Sequence, residues 1–142
     1  MRVISGTWQD RIGNELAQWY INKTGLYFST SFSAIGWVSD GELNSVAVFT
    51  DYNGYNIELH YVGWRKLTKD KIRYISDYVF NQLKCIRLTV KVCKSDKYIV
   101  KYLLRLGMSY EGTLKRYHGL TPEFDALIYS ILKEKMLDKW MK

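Results

Sequence analysis

Residues 85–108 read Cys85-Ile86-Arg87-Leu88-Thr89-Val90-Lys91-Val92-Cys93-Lys94-Ser95-Asp96-Lys97-Tyr98-Ile99-Val100-Lys101-Tyr102-Leu103-Leu104-Arg105-Leu106-Gly107-Met108. The first nine alternate apolar and polar side chains, the period-two signature of a half-buried strand. Ser95 or Asp96 then offers a helix N-cap. Ile99, Val100, Leu103 and Leu104 recur at helical spacing along 97–106, and Gly107 is a plausible stop. Strand and helix follow each other with almost no connector.

Working outward, Ile72, Ile75, Val79 and Leu83 predict a helix over 68–84 with Thr68 as its N-cap. Before it come three strand candidates, 32–38, 42–52 and 55–62. They are separated by Asp40-Gly41 and Asn53-Gly54, dipeptides that favour tight hairpins because both central residues take positive φ. Trp8, Ile12, Leu16, Trp19 and Tyr20 predict an amphipathic helix over 8–23, closed by Gly25. Downstream, 108–117 and 126–132 complete the order α, β, β, β, α, β, α, β, β, with Pro122 in the last loop, where it removes no ladder bond. Repeats, low-complexity tracts and linkers are absent, so one α/β (α+β) domain is expected over residues 1–142.

Composition narrows the classes. With 47% apolar residues, 142 positions suffice for one core. The longest apolar runs, such as 35–38, are far short of the ~20 residues that cross a bilayer. The first ten residues lack the apolar stretch of a secretory signal, so a cytoplasmic location is expected. Cys85 and Cys93 sit at opposite ends of one strand, about 26 Å apart at roughly 3.3 Å per residue, too far for a disulfide. Neither has a CxxC partner, and His60 and His118 are distant in sequence, so no metal is expected. Charge is uneven: residues 64–118 hold 14 Lys/Arg against 4 Asp/Glu, a net of +10 that leaves −3 for the rest of the chain. Such a segment suits an anion, whether a phosphate-rich cofactor, nucleic acid or an acidic partner.

The element order, together with 87–92, Asp96, Leu103-Leu104-Arg105-Leu106-Gly107-Met108, Glu111-Gly112-Thr113-Leu114-Lys115-Arg116, Asp125 and Tyr129, resembles the GNAT N-acetyltransferases. The closest likeness is to the second half of their ribosomal-protein-alanine acetyltransferase branch. There a strand leads to an Asn-started helix ending in Leu-Gly-Phe, then Glu-Gly-x-x-Arg and a late Asp before a Tyr-containing strand. The first half, through Asp40-Gly41-Glu42, Asp51-Tyr52-Asn53-Gly54, Asn56-Ile57-Glu58-Leu59-His60 and Trp64-Arg65-Lys66-Leu67-Thr68, resembles a small GNAT subgroup common in tailed phages.

This resemblance implies the acyl-CoA N-acyltransferase fold, a mixed central sheet with a splayed fourth and fifth strand pair and flanking helices. It also implies acetyl-CoA as cosubstrate and an amine on a protein or small molecule as acceptor. Leu59, Tyr61 and Val62 would line one side of the pantetheine path and residues 90–92 the other. Trp64, Arg65, Lys66, Leu67, Thr68 and Lys69 would meet the pyrophosphate at a helix N-terminus, with Asp96 at the next helix start. Glu58 and His60, on one face of their strand, would accept the amine proton, although Glu58 also suits a cross-strand ion pair. Tyr98 would protonate the leaving thiolate, and Trp64 would stack on an adenine or form a rim aromatic.

The chain departs from the family twice. The loop 63–69 lacks the usual Gly-x-Gly, and Leu103 occupies the place of the tyrosine seven residues after the helix-starting Asn. The second expectation is therefore a GNAT-like protein without turnover, acting as a binding, inhibitory or virion-associated phage module in host cytoplasm. A nucleic-acid-binding module is the third. A monomer or homodimer is expected.

Overall fold

The computed structural model describes residues 1–142. Its strands are β1 (Arg2–Thr7), β2 (Ser33–Ser39), β3 (Glu42–Thr50), β4 (Asn56–Val62), β5 (Arg87–Cys93), β6 (Ser109–Leu114) and β7 (Ala126–Leu132). Its helices are α1 (Arg11–Thr24), α2 (Lys69–Ser76), α3 (Lys97–Leu106) and α4 (Lys133–Trp140). The strands hydrogen-bond in the order β1-β2-β3-β4-β5-β7-β6. The β4–β5 pair is parallel, while β1–β2, β2–β3, β5–β7 and β6–β7 are antiparallel. This is the expected mixed sheet with flanking helices.

Two compact units divide the chain, residues 1–52 with 59–68, and residues 53–58 with 69–142. In the first, β2 and β3 alternate. Ala34, Val46 and Val48 pack against Leu16, Ala17 and Tyr20 of α1, while Ile35, Trp37, Ala47 and Phe49 are buried on the other face. Asp40 and Gly41 both take positive φ (53° and 79°), so this turn is the tight hairpin that its dipeptide predicts. In the second unit, Leu88, Val90 and Val92 of β5 are buried together with Ile72, Ile75, Val79, Leu103, Ile131 and Met136.

Several elements differ from the sequence reading. β1 was not expected: as an edge strand paired only to β2, it carries just two strongly apolar side chains, Val3 and Ile4, too few for a pattern. α4 was not expected either, because only Met136 among its residues is buried. It is fixed instead by Trp140 Nε1 donating to the Leu106 carbonyl (2.9 Å) and Arg73 Nε donating to the Trp140 carbonyl (2.9 Å). α1 starts at Arg11, not residue 8, because Asp10 is the N-cap and accepts from Gly13 N–H (2.7 Å). Trp8 and Ile12 are consequently exposed.

The helix expected over 68–84 is α2 continued by a π turn, Asp77–Gln82, with Leu83 N–H donating to the Tyr78 carbonyl. The register shift lets the neighbours Val79 and Phe80 both bury completely. In α3 the buried positions are Leu103 and Leu106, and Leu104 is exposed. Asn53-Gly54 forms no tight hairpin: only Gly54 of the pair has positive φ, and β3 ends at Thr50. The Asn53 side chain accepts from the N–H groups of Tyr55 and Asn56 (2.9 and 2.8 Å), replacing the expected turn with a side-chain-capped loop. No helix is long and apolar enough to cross a membrane, and both cysteines are free.

Candidate active site

β4 carries the candidate residues because its side chains alternate. Leu59 and Tyr61 are buried on one side, with the Tyr61 ring edge-on to Trp37 (6.3 Å) and to Trp64 (5.0 Å). Burial pushes the Tyr61 phenol up to about 12, slightly opposed by the Ser45 hydroxyl, so this tyrosine is neutral at physiological pH. Val62 points the other way, onto the core formed with Leu16 and Tyr20.

His60 shares the Val62 side. Its ring meets Phe28 edge-on (centroids 5.1 Å, 74°) and Tyr20 likewise (6.4 Å, 82°), while Nε2 lies 2.7 Å from Thr50 Oγ1. Thr50 in turn donates to Asp51 Oδ2 (2.8 Å). The imidazole is thus held on three sides, and it is only half-buried. Thr50 and Asp51 were not among the expected site residues, since their link to His60 depends on which strand neighbours β4.

In the second unit Glu58 is buried at 6% exposure, and Oε2 lies 3.3 Å from Lys91 Nζ on β5. The cross-strand ion pair foreseen for Glu58 is therefore present. Lys91 Nζ also sits 5.3 Å from the Tyr117 ring centre, a cation–π contact. The same sheet bears further polar pairs: Thr89 Oγ1 donates to Asn56 Oδ1 (2.6 Å), and Arg87 grips Glu111 with both terminal nitrogens. His118 lies edge-on to Tyr117. Burial holds its pKa below the usual histidine value, Asp96 pulling it up and Lys91 pushing it further down.

The loop 63–69 is built on Gly63. Its φ of 103°, and the 2.6 Å that would separate a Cβ there from Ser45 Cβ, exclude any larger residue. A 3₁₀ turn, Trp64–Lys66, follows, in which Lys66 N–H bonds the Gly63 carbonyl (2.9 Å) and Leu67 N–H bonds the Trp64 carbonyl (3.2 Å). These two amides are committed inside the turn, unlike those of a Gly-x-Gly loop. Arg65, Lys66, Thr68 and Lys69 are exposed and Leu67 is half-buried. Trp64 is only 6% exposed and packs on Tyr61. Its place is in the core, which corrects the expectation of a rim or stacking aromatic.

At the start of α3, Asp96 occupies the N-cap position, but its side chain makes no capping hydrogen bond; only its carbonyl receives Ile99 N–H (3.0 Å). Tyr98 is exposed there. Leu103, at the position of the family tyrosine, is completely buried.

Solved structures that share this architecture are N-acetyltransferases, and the chain has the GNAT acyltransferase fold. Spermidine/spermine N-acetyltransferase SpeG from Vibrio cholerae, solved with manganese ions, aligns at TM-score 0.69 and 14% identity over 97% of this chain and 96% of that one. A dodecameric structure of the Vibrio cholerae spermidine N-acetyltransferase in an intermediate state aligns at TM-score 0.73 and 12% identity, covering 96% and 97%. A GNAT-family acetyltransferase from Bacillus anthracis aligns at TM-score 0.57 and 19% identity, covering 72% and 66%. No protein-family model matches the chain, and no curated protein sequence matches it.

Proposed function

We propose that the chain is an acetyl-CoA dependent N-acetyltransferase that passes the acetyl group directly to a primary amine. The observation that carries this reading is His60, a half-buried imidazole on β4 of an acetyltransferase fold, held by Thr50 and by the rings of Phe28 and Tyr20. Direct transfer requires a proton acceptor for the amine, a place for the thioester and a proton for the leaving thiolate. His60 supplies the first. The backbone of Leu59, Tyr61 and Val62 supports the pantetheine arm. Tyr98, an exposed phenol at the start of α3, is positioned in sequence to protonate the thiolate, with Asp96 beside it.

Glu58 has a different part, since its carboxylate is tied to the Lys91 ammonium. It orders the strand that presents His60, two residues away. For the pyrophosphate, the exposed Arg65, Lys66 and Lys69 supply cations, with Thr68 and Leu67 completing the segment that enters α2. Because Lys66 and Leu67 direct their N–H groups into the 3₁₀ turn, binding here rests on side-chain charge more than on backbone amides. Thiol release from acetyl-CoA, with mass spectrometry over a panel of polyamines, amino acids and peptide N-termini, tests the proposal. Absence of calorimetric acetyl-CoA binding would sink it.

A second reading, a GNAT-fold protein that binds without turnover, is supported by the committed amides of the 63–69 loop and by buried Leu103 at the family's tyrosine position. Coenzyme A binding by a folded protein that releases no thiol with any amine favours it over the first.

A further inference from the structure

The hydrogen-bond chain on the α1 side of β4 carries more than the position of His60. Thr50 has one hydroxyl hydrogen, and it goes to Asp51 Oδ2 at 2.8 Å, because an ionised carboxylate only accepts. The same oxygen lies 2.7 Å from His60 Nε2. With its hydrogen directed to Asp51, Thr50 Oγ1 accepts in this second contact, and Nε2 is the donor. Asp51 is held for the purpose by an unusual backbone. Its φ is +57°, a left-handed conformation that aspartate tolerates better than most residues and that costs stability elsewhere in the chain. Thr50 itself is only 5% exposed, so the bond is largely shielded from water.

We infer that Thr50 and Asp51 are positioning residues that fix the His60 tautomer with hydrogen on Nε2, which leaves the lone pair on Nδ1 as the basic site. This rests on the acetyltransferase reading for its purpose but not for its test. The imidazole takes a proton onto Nδ1 from the acceptor ammonium, whose nitrogen thereby regains its lone pair, and becomes imidazolium while the Nε2–H bond to Thr50 persists. The Asp51 carboxylate, acting through the Thr50 hydroxyl, stabilises the cation formed. Neutral and charged rings thus use one geometry, and no reorientation accompanies proton uptake.

The chain has two histidines, so His118→Gln leaves one imidazole whose ¹⁵N shifts report the tautomer in the protein alone, without cofactor or acceptor. The expected spectrum is that of an Nε2–H ring in this background and with Thr50→Ser added, and a mixture of tautomers with Thr50→Val. In turnover, Thr50→Val should lower kcat about 10-fold with KM for acetyl-CoA unchanged, as for loss of an orienting partner, and Thr50→Ser should restore it. An Nδ1–H ring in the Thr50 parent, or a Thr50→Val spectrum identical to it, overturns the inference. An Nε2–H ring in a protein that acetylates nothing keeps the relay and overturns the enzyme reading instead.

Discussion

Glu58 and His60 stand two residues apart on one face of β4, yet their surroundings differ in kind. Glu58 is buried against an ammonium, with Lys91 at 3.3 Å and Tyr117 backing the cation. His60 is half-exposed among aromatic edges and bonded to a neutral hydroxyl. A carboxylate locked in an ion pair gains little from taking a proton and loses its partner if it does. An imidazole whose hydrogen bond survives protonation gives up nothing. Sharing a strand face therefore does not make two candidate bases equivalent, and the nature of the partner separates the structural group from the chemical one.

The largest effect that could break this contrast is on turnover. His60→Ala should lower kcat for acetyl transfer by about 10² to 10⁴, the usual size of a general-base contribution, with acetyl-CoA affinity nearly unchanged in a calorimetric titration. Glu58→Gln should lower kcat by less than about 10-fold. If the two variants exchange these values, the assignment is reversed. A smaller effect tests whether binding is separate from both residues. Replacing Arg65 and Lys66 together by Ala should weaken acetyl-CoA binding by about 1 to 3 kcal/mol, with added salt weakening the unaltered protein in the same direction. Unchanged affinity would remove the 63–69 loop from the phosphate site.

Stability should sort the pair the opposite way. Glu58→Gln leaves the Lys91 ammonium without its carboxylate in a largely buried place. Lys91 keeps about a quarter of its side-chain exposure, so the cost should be below that of a fully buried pair, about 1 to 2 kcal/mol. Thermal unfolding reads this as a fall of a few degrees. Glu58→Leu combined with Lys91→Met should recover most of the loss, since it removes both charges; a double variant no more stable than Glu58→Gln would mean that packing, not charge, set the cost.

Much of this contrast was legible in sequence and part of it was not. Alternation in 55–62 placed Glu58 and His60 on one face, and period-two and helical spacing delivered β5, α3 and β7 with small errors. The partners were hidden. Lys91 sits 33 residues beyond Glu58, and only the parallel pairing of β4 with β5 brings the two together. Asp51 reaches Thr50 from a positive φ that no pattern announces. Trp64 beside two cations looked like a binding aromatic, but the 3₁₀ turn after Gly63 folds it against Tyr61. β1 and α4 went unread because an edge strand and a helix with one buried residue have almost no apolar period to read.

The smallest predicted effect uses a second ion pair as a reference for the first. Arg87 and Glu111 form the same kind of charge pair on the same sheet, but both remain about one-third exposed. The Arg87 hydrogen bonds hold the Glu111 carboxyl below its usual value, against a smaller opposing push from burial. A depressed folded-state pKa contributes stability that is fully present above the unfolded-state value near 4.3 and is lost as pH falls through the folded one. Exposure and salt screening cap the contribution at about 1 kcal/mol. Chemical denaturation from pH 7 down to pH 3 should therefore show a shallower acid loss for Glu111→Gln than for the unaltered chain, and 1 M salt should narrow the difference. Identical acid limbs would mean that the pair is formed but contributes nothing net. A difference well above 1 kcal/mol would mean that Arg87–Glu111 behaves like the buried Glu58–Lys91 pair, and exposure would then no longer explain why one acidic group on this sheet is structural and the other incidental.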